Sequence, residues 1–124
     1  MKIRITGNKI RLRLKEPEVR ALYSGISIKE ALLFGSHPDQ QLTFLLAVGE
    51  QSGLAVAYQP GSVAISMPKA FAEMLATTSK IGFDGEVNSE NNSPIYILIE
   101  KDFECLDAPE EANEGSYPNP KQVC

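Results

Sequence analysis

The sequence predicts a mainly β (α+β) domain with two short helices, arranged as a compact β-barrel-like fold of two ββαββ units. Two observations lead to this prediction. Residues 1–50 read as two strands, a short helix and two more strands, and residues 54–103 read the same way at an offset of 53 residues. At that offset sixteen of fifty residue pairs are apolar in both members, whereas random placement would give about nine. A repeat of this kind predicts an architecture before it predicts a chemistry.

The first two strands are predicted from the alternation of residue types. Over residues 2–14 aliphatic side chains alternate with cations, so the aliphatics line one face of the strands and the cations line the other. Gly7-Asn8 lies between the two runs and fits a two-residue hairpin loop, because glycine tolerates positive φ. This register places Arg4 opposite Arg11.

The rest of the first unit contains one helix and at least one further strand. The helix is predicted to begin near Pro17 and to end at Gly25 as its C′ residue. Residues 26–34 fit either a strand or a helix. Their first aliphatics alternate as in a strand, but residues 27–30 match a helix capping box ahead of an apolar run. Residues 42–48 are strongly apolar and predict a strand.

The second unit follows the same order. Pro60-Gly61 separates its first two strands, and this pair prefers a type II turn, which predicts a loop longer than two residues. Pro68 is predicted to begin the second helix, whose core stripe has i, i+3, i+4 spacing. That stripe consists of Phe71, Met74 and Leu75. Strands are expected within residues 81–87 and 95–99, and the last is apolar throughout, which predicts cover on both faces.

Composition indicates one globular domain over residues 1–106 and an acidic tail over residues 107–124. The tail is expected to be disordered, because its apolar residues are too sparse to offset the entropy lost on ordering. Residues 1–20 carry a net charge of +5 and residues 81–124 carry −8, within a total of −4. Such asymmetry predicts a charged surface that faces a partner or the chain's own tail.

The sequence shows no membrane or secretion signal. No apolar run approaches the roughly 18 residues of a membrane span, and the N-terminus lacks an apolar signal-peptide core. We therefore expect a cytoplasmic protein that does not associate with membranes. Cys105 and Cys124 lack CxxC spacing and the single histidine is distant, so we expect free thiols and predict neither a metal site nor a cofactor.

The most informative chemical feature is a basic stripe on the first hairpin. Its members are Lys2, Arg4, Lys9, Arg11 and Arg13. Like charges opposed across two strands destabilise the pair, so we expect anionic groups to compensate them. One interpretation is a partner with phosphates or carboxylates, either nucleic acid or an acidic protein. The other is a solvated face, or ion pairs with the tail or with nearby acids. Those acids are Glu100, Asp102 and Glu104.

No catalytic arrangement is evident. Ser36, His37 and Asp39 supply the residue types of a catalytic triad, but neighbours in one loop rarely reach triad geometry and no nucleophile elbow is present. We therefore predict a non-enzymatic binding module that uses the basic stripe. The alternative is a structural or regulatory protein-interaction domain that acts through the acidic tail or through a small-residue hairpin face. That face consists of Ala55, Ala57, Ala64 and Ser66, and a homodimer through it is a further expectation.

The second unit resembles a known family. Residues 61–75 have a glycine, an alternating strand, Pro-Lys and an amphipathic helix, and in this they resemble the AbrB-like swapped-hairpin unit. The resemblance covers residues 54–100 well and residues 1–50 loosely. In that family two chains exchange hairpins to close a small barrel, and many members bind DNA through basic residues on the barrel face. The first unit has Lys15-Glu16-Pro17 in place of the Pro-Lys pair, and the second hairpin lacks cations.

The chain ends are similar to those of a group of small uncharacterised bacterial proteins. Residues 1–14 and 99–106 carry this similarity, and residues 117–120 extend it. It would cover the whole chain. The group has no assigned activity, so the similarity implies no function.

Overall fold

The computed structural model describes residues 1–88, 93–103 and 114–118. Within them the chain forms eight strands and two helices, so the predicted mainly β class with two short helices is confirmed. The elements are β1 (Lys2–Thr6), β2 (Lys9–Leu14), α1 (Glu16–Tyr23), β3 (Ile28–Leu33), β4 (Gln41–Gly49), β5 (Ala55–Gln59), β6 (Ser62–Pro68), α2 (Lys69–Thr77), β7 (Gly82–Val87) and β8 (Ile95–Lys101).

The strands form two separate four-stranded sheets. Sheet A has the order β1-β2-β8-β7 and sheet B has the order β3-β4-β6-β5. In each sheet two antiparallel hairpins meet along a central parallel pair, β2–β8 or β4–β6. Among the described residues no strand pairing joins the sheets, so the predicted barrel is wrong. Each sheet keeps two edge strands, because its four strands pair only with one another.

One core joins the sheets and the helices. Its buried hydrophobic residues are Ile10, Leu12, Leu14, Val19, Leu22, Leu46, Ile65, Met67, Ala72, Leu75, Ile97 and Ile99. The prediction for α2 was right for Leu75, which is buried, and wrong for Met74, which is 40% exposed. Ala72 takes the second buried position on that helix, and Phe71 packs against the core with its ring stacked 4.0 Å from the ring of Phe83.

Local signals at the end of α1 behave as predicted. Gly25 has φ +85°, and its N–H donates to the carbonyl of Leu22 while the N–H of Ile26 donates to the carbonyl of Ala21. This is the Schellman arrangement that glycine at C′ favours. The ambiguous segment 26–34 contains strand β3, which pairs along its whole length with β4. Pairing with β4 therefore outweighs the local capping box.

The second hairpin is tighter than predicted. Only Pro60-Gly61 lies between β5 and β6, and Gly61 has φ +78°. Proline fixes φ near −65°, so the turn has the type II pattern. The carbonyl of Gly61 accepts from the N–H of Thr43 at 2.8 Å. A Cβ at Gly61 would lie 2.7 Å from the carbonyl oxygen of Gln41, so the loop is held against the start of β4.

Part of the predicted tail contacts the domain. Tyr117 bridges to Phe103, its N–H donates to the carbonyl of Asp102 at 2.7 Å, and the carbonyl of Gly115 accepts from the N–H of Glu16 at 3.1 Å. Residues 104–113 and 119–124, which include both cysteines, lie outside the described residues. The domain boundary at residue 106 stays a prediction. Neither of the described helices is long and apolar enough to cross a membrane.

Candidate functional site

The strand register brings the whole basic stripe onto one surface, the outer face of sheet A. Three rows of outward side chains cross the strands in the order β1, β2, β8, β7. They are Lys2–Arg13–Glu100–Gly82, Arg4–Arg11–Leu98–Asp84 and Thr6–Lys9–Tyr96–Glu86. We call this surface the sheet A face. Its β1–β2 half carries cations and its β8–β7 half carries carboxylates.

Three of the five cations have carboxylate partners within the chain. Glu100 Oε1 accepts from Arg11 Nε at 2.6 Å and from Arg13 Nε at 3.1 Å. The Glu100 side chain is 14% exposed, whereas the two arginines are 35% and 40% exposed. Lys2 Nζ lies 2.9 Å from Oδ2 of the buried Asp102. Ion pairs with Glu100 and Asp102, one of the two interpretations of the stripe, are therefore present, and Glu104 lies outside the described residues.

The other two cations lack such partners. In the described part of the chain Arg4 and Lys9 form no ion pair, and both are exposed. Lys9 Nζ lies 5.8 Å from the centre of the Tyr96 ring. On the other half Asp84 and Glu86 are exposed and likewise form no ion pair among the described residues. Among the described residues the sheet A face thus retains two uncompensated cations on one half and two uncompensated carboxylates on the other.

Tyr96 lies on β8, at the border between the two halves. Its hydroxyl donates a hydrogen bond to Oδ2 of Asp84. This hydrogen bond raises the pKa of Tyr96, and desolvation and the charges of Asp84 and Glu86 act in the same direction. The protonated hydroxyl thus links β8 to the Asp84 carboxylate on β7.

Two shallow depressions lie along the cationic β1–β2 half of the sheet A face. One has a volume of about 200 Å³ and is lined by Arg4, Thr6, Lys9, Ile10, Arg11, Tyr96 and Leu98. The other has a volume of about 290 Å³ and is lined by Lys2, Ile3, Arg4, Arg11 and Arg13. Arg4 and Arg11 border both. Each depression can receive an acidic side chain next to a guanidinium group, which binds carboxylates well because its donors form a planar fork.

The predicted small-residue face lies on the other sheet. Ala55 pairs with Ser66 and Ala57 pairs with Ala64, and strands β3 and β4 extend the same surface. Those strands contribute Lys29, Ala31, Leu33, Gln41, Thr43, Leu45 and Ala47. We call this surface the sheet B face. Lys29 is the only charged residue among these described strand positions, so this surface offers mainly uncharged contacts rather than ion pairs.

Comparison with known proteins places the chain in a family. The model of DUF7009, a family of unknown function, matches residues 1–121. The chain belongs to this family. The match confirms the predicted similarity to a protein group without an assigned activity, while the bacterial origin and the AbrB-like resemblance stay predictions. No curated protein and no solved structure matches the chain.

This DUF7009 chain also has a buried polar cluster that sequence reasoning missed. Lys101 is only 7% exposed, its Nζ donates to the carbonyl of Thr78 at 3.0 Å, and it lies 5.0 Å from the centre of the Tyr117 ring. Burial lowers the pKa of Lys101 and raises the pKa of Tyr117. The available signal was alternation, because Lys101 shares the inward face of β8 with Ile97 and Ile99. The cluster joins β8 to the C-terminal segment 114–118.

The loop with triad residue types is a solvated turn in this DUF7009 chain. Ser36, His37 and Asp39 are exposed. The N–H of His37 donates to Oε1 of Gln40 at 3.3 Å, and the N–H of Gln40 donates to the carbonyl of His37 at 3.0 Å. Within the described ranges no group of three or more His, Cys, Asp or Glu residues is placed to hold a metal ion.

Proposed function

We propose that this DUF7009 protein is a non-enzymatic interaction module. Its sheet A face binds acidic side chains of a protein partner. One observation carries the proposal. Arg4 and Lys9 are exposed and have no carboxylate partner among the described residues. Arg4 borders both depressions of the cationic half, and Lys9 borders one of them. Opposed cations such as Arg4 and Arg11 destabilise a strand pair, so an acidic partner would relieve a repulsion that Glu100 relieves only in part.

The distribution of charge favours a protein over nucleic acid. Two uncompensated cations would neutralise about two phosphates, which gives a log–log salt slope of only about −2. Asp84 and Glu86 lie on β7, two strand spacings or about 10 Å from β2, and would repel a phosphate backbone that crosses the sheet. No aromatic side chains alternate with the cations of β1 and β2, so base stacking is not offered there.

A comparison between the two halves of the chain supports the same surface. Leu12 pairs with Ile99 in sheet A, and Ile65 pairs with Leu46 in sheet B. These pairs are related by the 53-residue offset, and we infer that the halves derive from a duplicated ββαββ unit. An intrachain counterpart of the AbrB-like hairpin exchange would place one hairpin of each half in each sheet. The core positions are alike, but the first hairpin presents cations where the second presents alanine and serine.

The second candidate function is a protein interaction through the sheet B face. Its small and nearly uncharged side chains, among them Ala57 and Ala64, leave a smooth surface that another sheet can pack against. The acidic tail, the other element of this alternative, lies largely outside the described residues. A cytoplasmic location belongs to both candidates and stays a prediction.

Fluorescence anisotropy with two labelled probes tests the proposal. The probes are an oligo-glutamate peptide and a 20-base-pair DNA duplex, each titrated at 50 and 200 mM NaCl. We expect wild type to bind the peptide more tightly than the duplex. Arg4→Glu combined with Lys9→Glu should weaken peptide binding at least about tenfold, or about 1.4 kcal/mol.

The matched control makes the same charge change away from the sheet A face. Lys29→Glu combined with Lys69→Glu alters two exposed lysines. At 200 mM NaCl, where salt screens the change in net charge, this variant should bind the peptide with an affinity within about twofold of wild type. Equal loss in both double variants would show a general charge effect and contradict the proposal. Tighter binding of the duplex, with a salt slope much steeper than −2, would favour nucleic acid instead.

A further inference from the structure

We propose that the partner of the sheet A face is a second copy of the same chain, packed face to face as a symmetric dimer. This inference rests on the proposed function, because it uses the same residues. The face is self-complementary. Within the described ranges, Arg4 and Lys9 are uncompensated on one half, and Asp84 and Glu86 are uncompensated on the other. A surface that carries opposite charges on its two halves fits a rotated copy of itself.

The charge pattern selects one orientation of the two copies. A two-fold axis in the interface, parallel to the strands and between β2 and β8, lays β1 of one copy on β7 of the other. Each row is preserved, so Arg4 faces Asp84 of the second copy and Thr6 faces Glu86. An axis across the strands would lay β1 on β1 and oppose cations to cations. Like-charge contacts disfavour that second arrangement.

The centre of the interface adds two kinds of contact. Arg13 of one copy faces Glu100 of the other, so the Arg11–Glu100–Arg13 groups of both copies form one network next to the axis. Arg11 faces Leu98, and Lys9 faces Tyr96, which adds a cation–aromatic contact between copies to the one within each chain. The second and third rows thus place an apolar or aromatic side chain under the stem of a long cation.

The size of the surface indicates a weak dimer. Four strands at about 4.8 Å spacing and about five residues of length give a footprint of about 19 by 17 Å. That is about 320 Å², less than half of the roughly 800 Å² that each partner contributes to a standard stable interface. We therefore expect a Kd above about 1 µM, with marked weakening as salt rises.

Sedimentation equilibrium with charge-swapped variants tests the dimer. One variant carries Arg4→Glu with Lys9→Glu, and the other carries Asp84→Lys with Glu86→Lys. At 50 mM NaCl we expect wild type to dimerise and each variant alone to associate at least about tenfold more weakly. An equimolar mixture of the two should form a heterodimer, because positions 4, 9, 84 and 86 are then all acidic on one face and all basic on the other. The Lys29→Glu, Lys69→Glu variant should dimerise like wild type.

Three outcomes would overturn the dimer. The first is wild type that stays monomeric at 50 mM NaCl up to about 1 mM, which is about a thousandfold above the lower limit set for the Kd. The second is a mixture that stays monomeric although circular dichroism shows both variants folded. If the double variants do not fold, the single changes Arg4→Glu and Asp84→Lys repeat the test. The third is a dimer that none of these changes weakens, which would place the interface on another surface.

The two proposals fail separately. Wild type that is monomeric and still binds the oligo-glutamate peptide through Arg4 and Lys9 overturns the dimer and leaves the proposed function standing. Wild type that neither associates nor binds the peptide overturns both.

Discussion

Glu100 holds the cationic half of the sheet A face together, so removing its charge should destabilise the folded chain. An exposed ion pair contributes about 0.2–1 kcal/mol, and breaking a fully buried pair costs about 3–5 kcal/mol. Glu100 is 14% exposed, but Arg11 and Arg13 are 35% and 40% exposed, so solvent screens both contacts. We therefore expect Glu100→Gln, which keeps the size and one acceptor oxygen, to lower the free energy of unfolding by about 1–2 kcal/mol.

Urea unfolding at two salt concentrations measures this effect. The Debye length falls from about 30 Å in 10 mM salt to about 3 Å in 1 M salt, so repulsion among the remaining cations should make the loss larger in dilute salt. The samples are kept at low micromolar protein, where the weak dimer dissociates.

A double-mutant cycle isolates the repulsion. Arg4 lies directly opposite Arg11, so Arg4→Met should recover part of the loss in the Glu100→Gln background and have little effect in wild type. A loss below about 0.5 kcal/mol at both salt concentrations would refute the reasoning, since even one exposed ion pair can contribute that much. So would an Arg4→Met effect that is the same in both backgrounds.

Three further predictions concern the fold. Burial lowers the pKa of Lys101 from 10.5. In the window just below pH 10.5 the unfolded chain therefore binds more protons than the folded chain. The unfolding free energy of wild type should therefore rise relative to Lys101→Met as pH increases through that window, and a constant difference in urea titrations from pH 7 to 10.5 would contradict this. Gly61→Ala should cost about 1–3 kcal/mol, because φ is +78° and the new Cβ would lie 2.7 Å from a carbonyl oxygen. Gly7→Ala, at φ +57° with nothing within 4 Å, should cost less, and equal losses in urea unfolding would refute the steric explanation. Leu75→Ala should lower the free energy of unfolding by about 2–5 kcal/mol. Met74→Ala should lower it clearly less, because Met74 is 40% exposed, and the reverse order would contradict the core described for α2.

Features set by neighbouring residues could be predicted from the sequence. Gly7-Asn8 and the alternation around it determine the first hairpin, including the pairing of Arg4 with Arg11. Gly25 ends α1 through backbone hydrogen bonds from Gly25 and Ile26 to carbonyls three and five residues earlier. Each of these depends on contacts within about one turn of chain, where residue type restricts φ directly.

Features set by distant residues could not be predicted in the same way. The parallel pairs β2–β8 and β4–β6 decide that two sheets form instead of a barrel, and β2 and β8 lie more than 80 residues apart in the chain. The tight loop at Pro60-Gly61 accepts a hydrogen bond from the distant Thr43, whereas local turn preference alone predicted a longer loop.

The same distinction between local and distant contacts applies to the candidate site. Alternation alone places the five cations of the stripe on one strand face. The acids Asp84 and Glu86 join that face only because β8 lies between β2 and β7, and Lys2 reaches Asp102 only through the same strand order. The cations were therefore predictable as a set, and the complementary carboxylates of the sheet A face were not.

Amide chemical shifts recorded while the protein is diluted test most directly whether the sheet A face is the interaction surface. We expect concentration-dependent shifts in β1, β2, β7 and β8, largest near Arg4 and Asp84, and no change along residues 55–66. Shifts confined to residues 55–66 of sheet B, or a dimer that forms without any shift in β1 and β7, would contradict it.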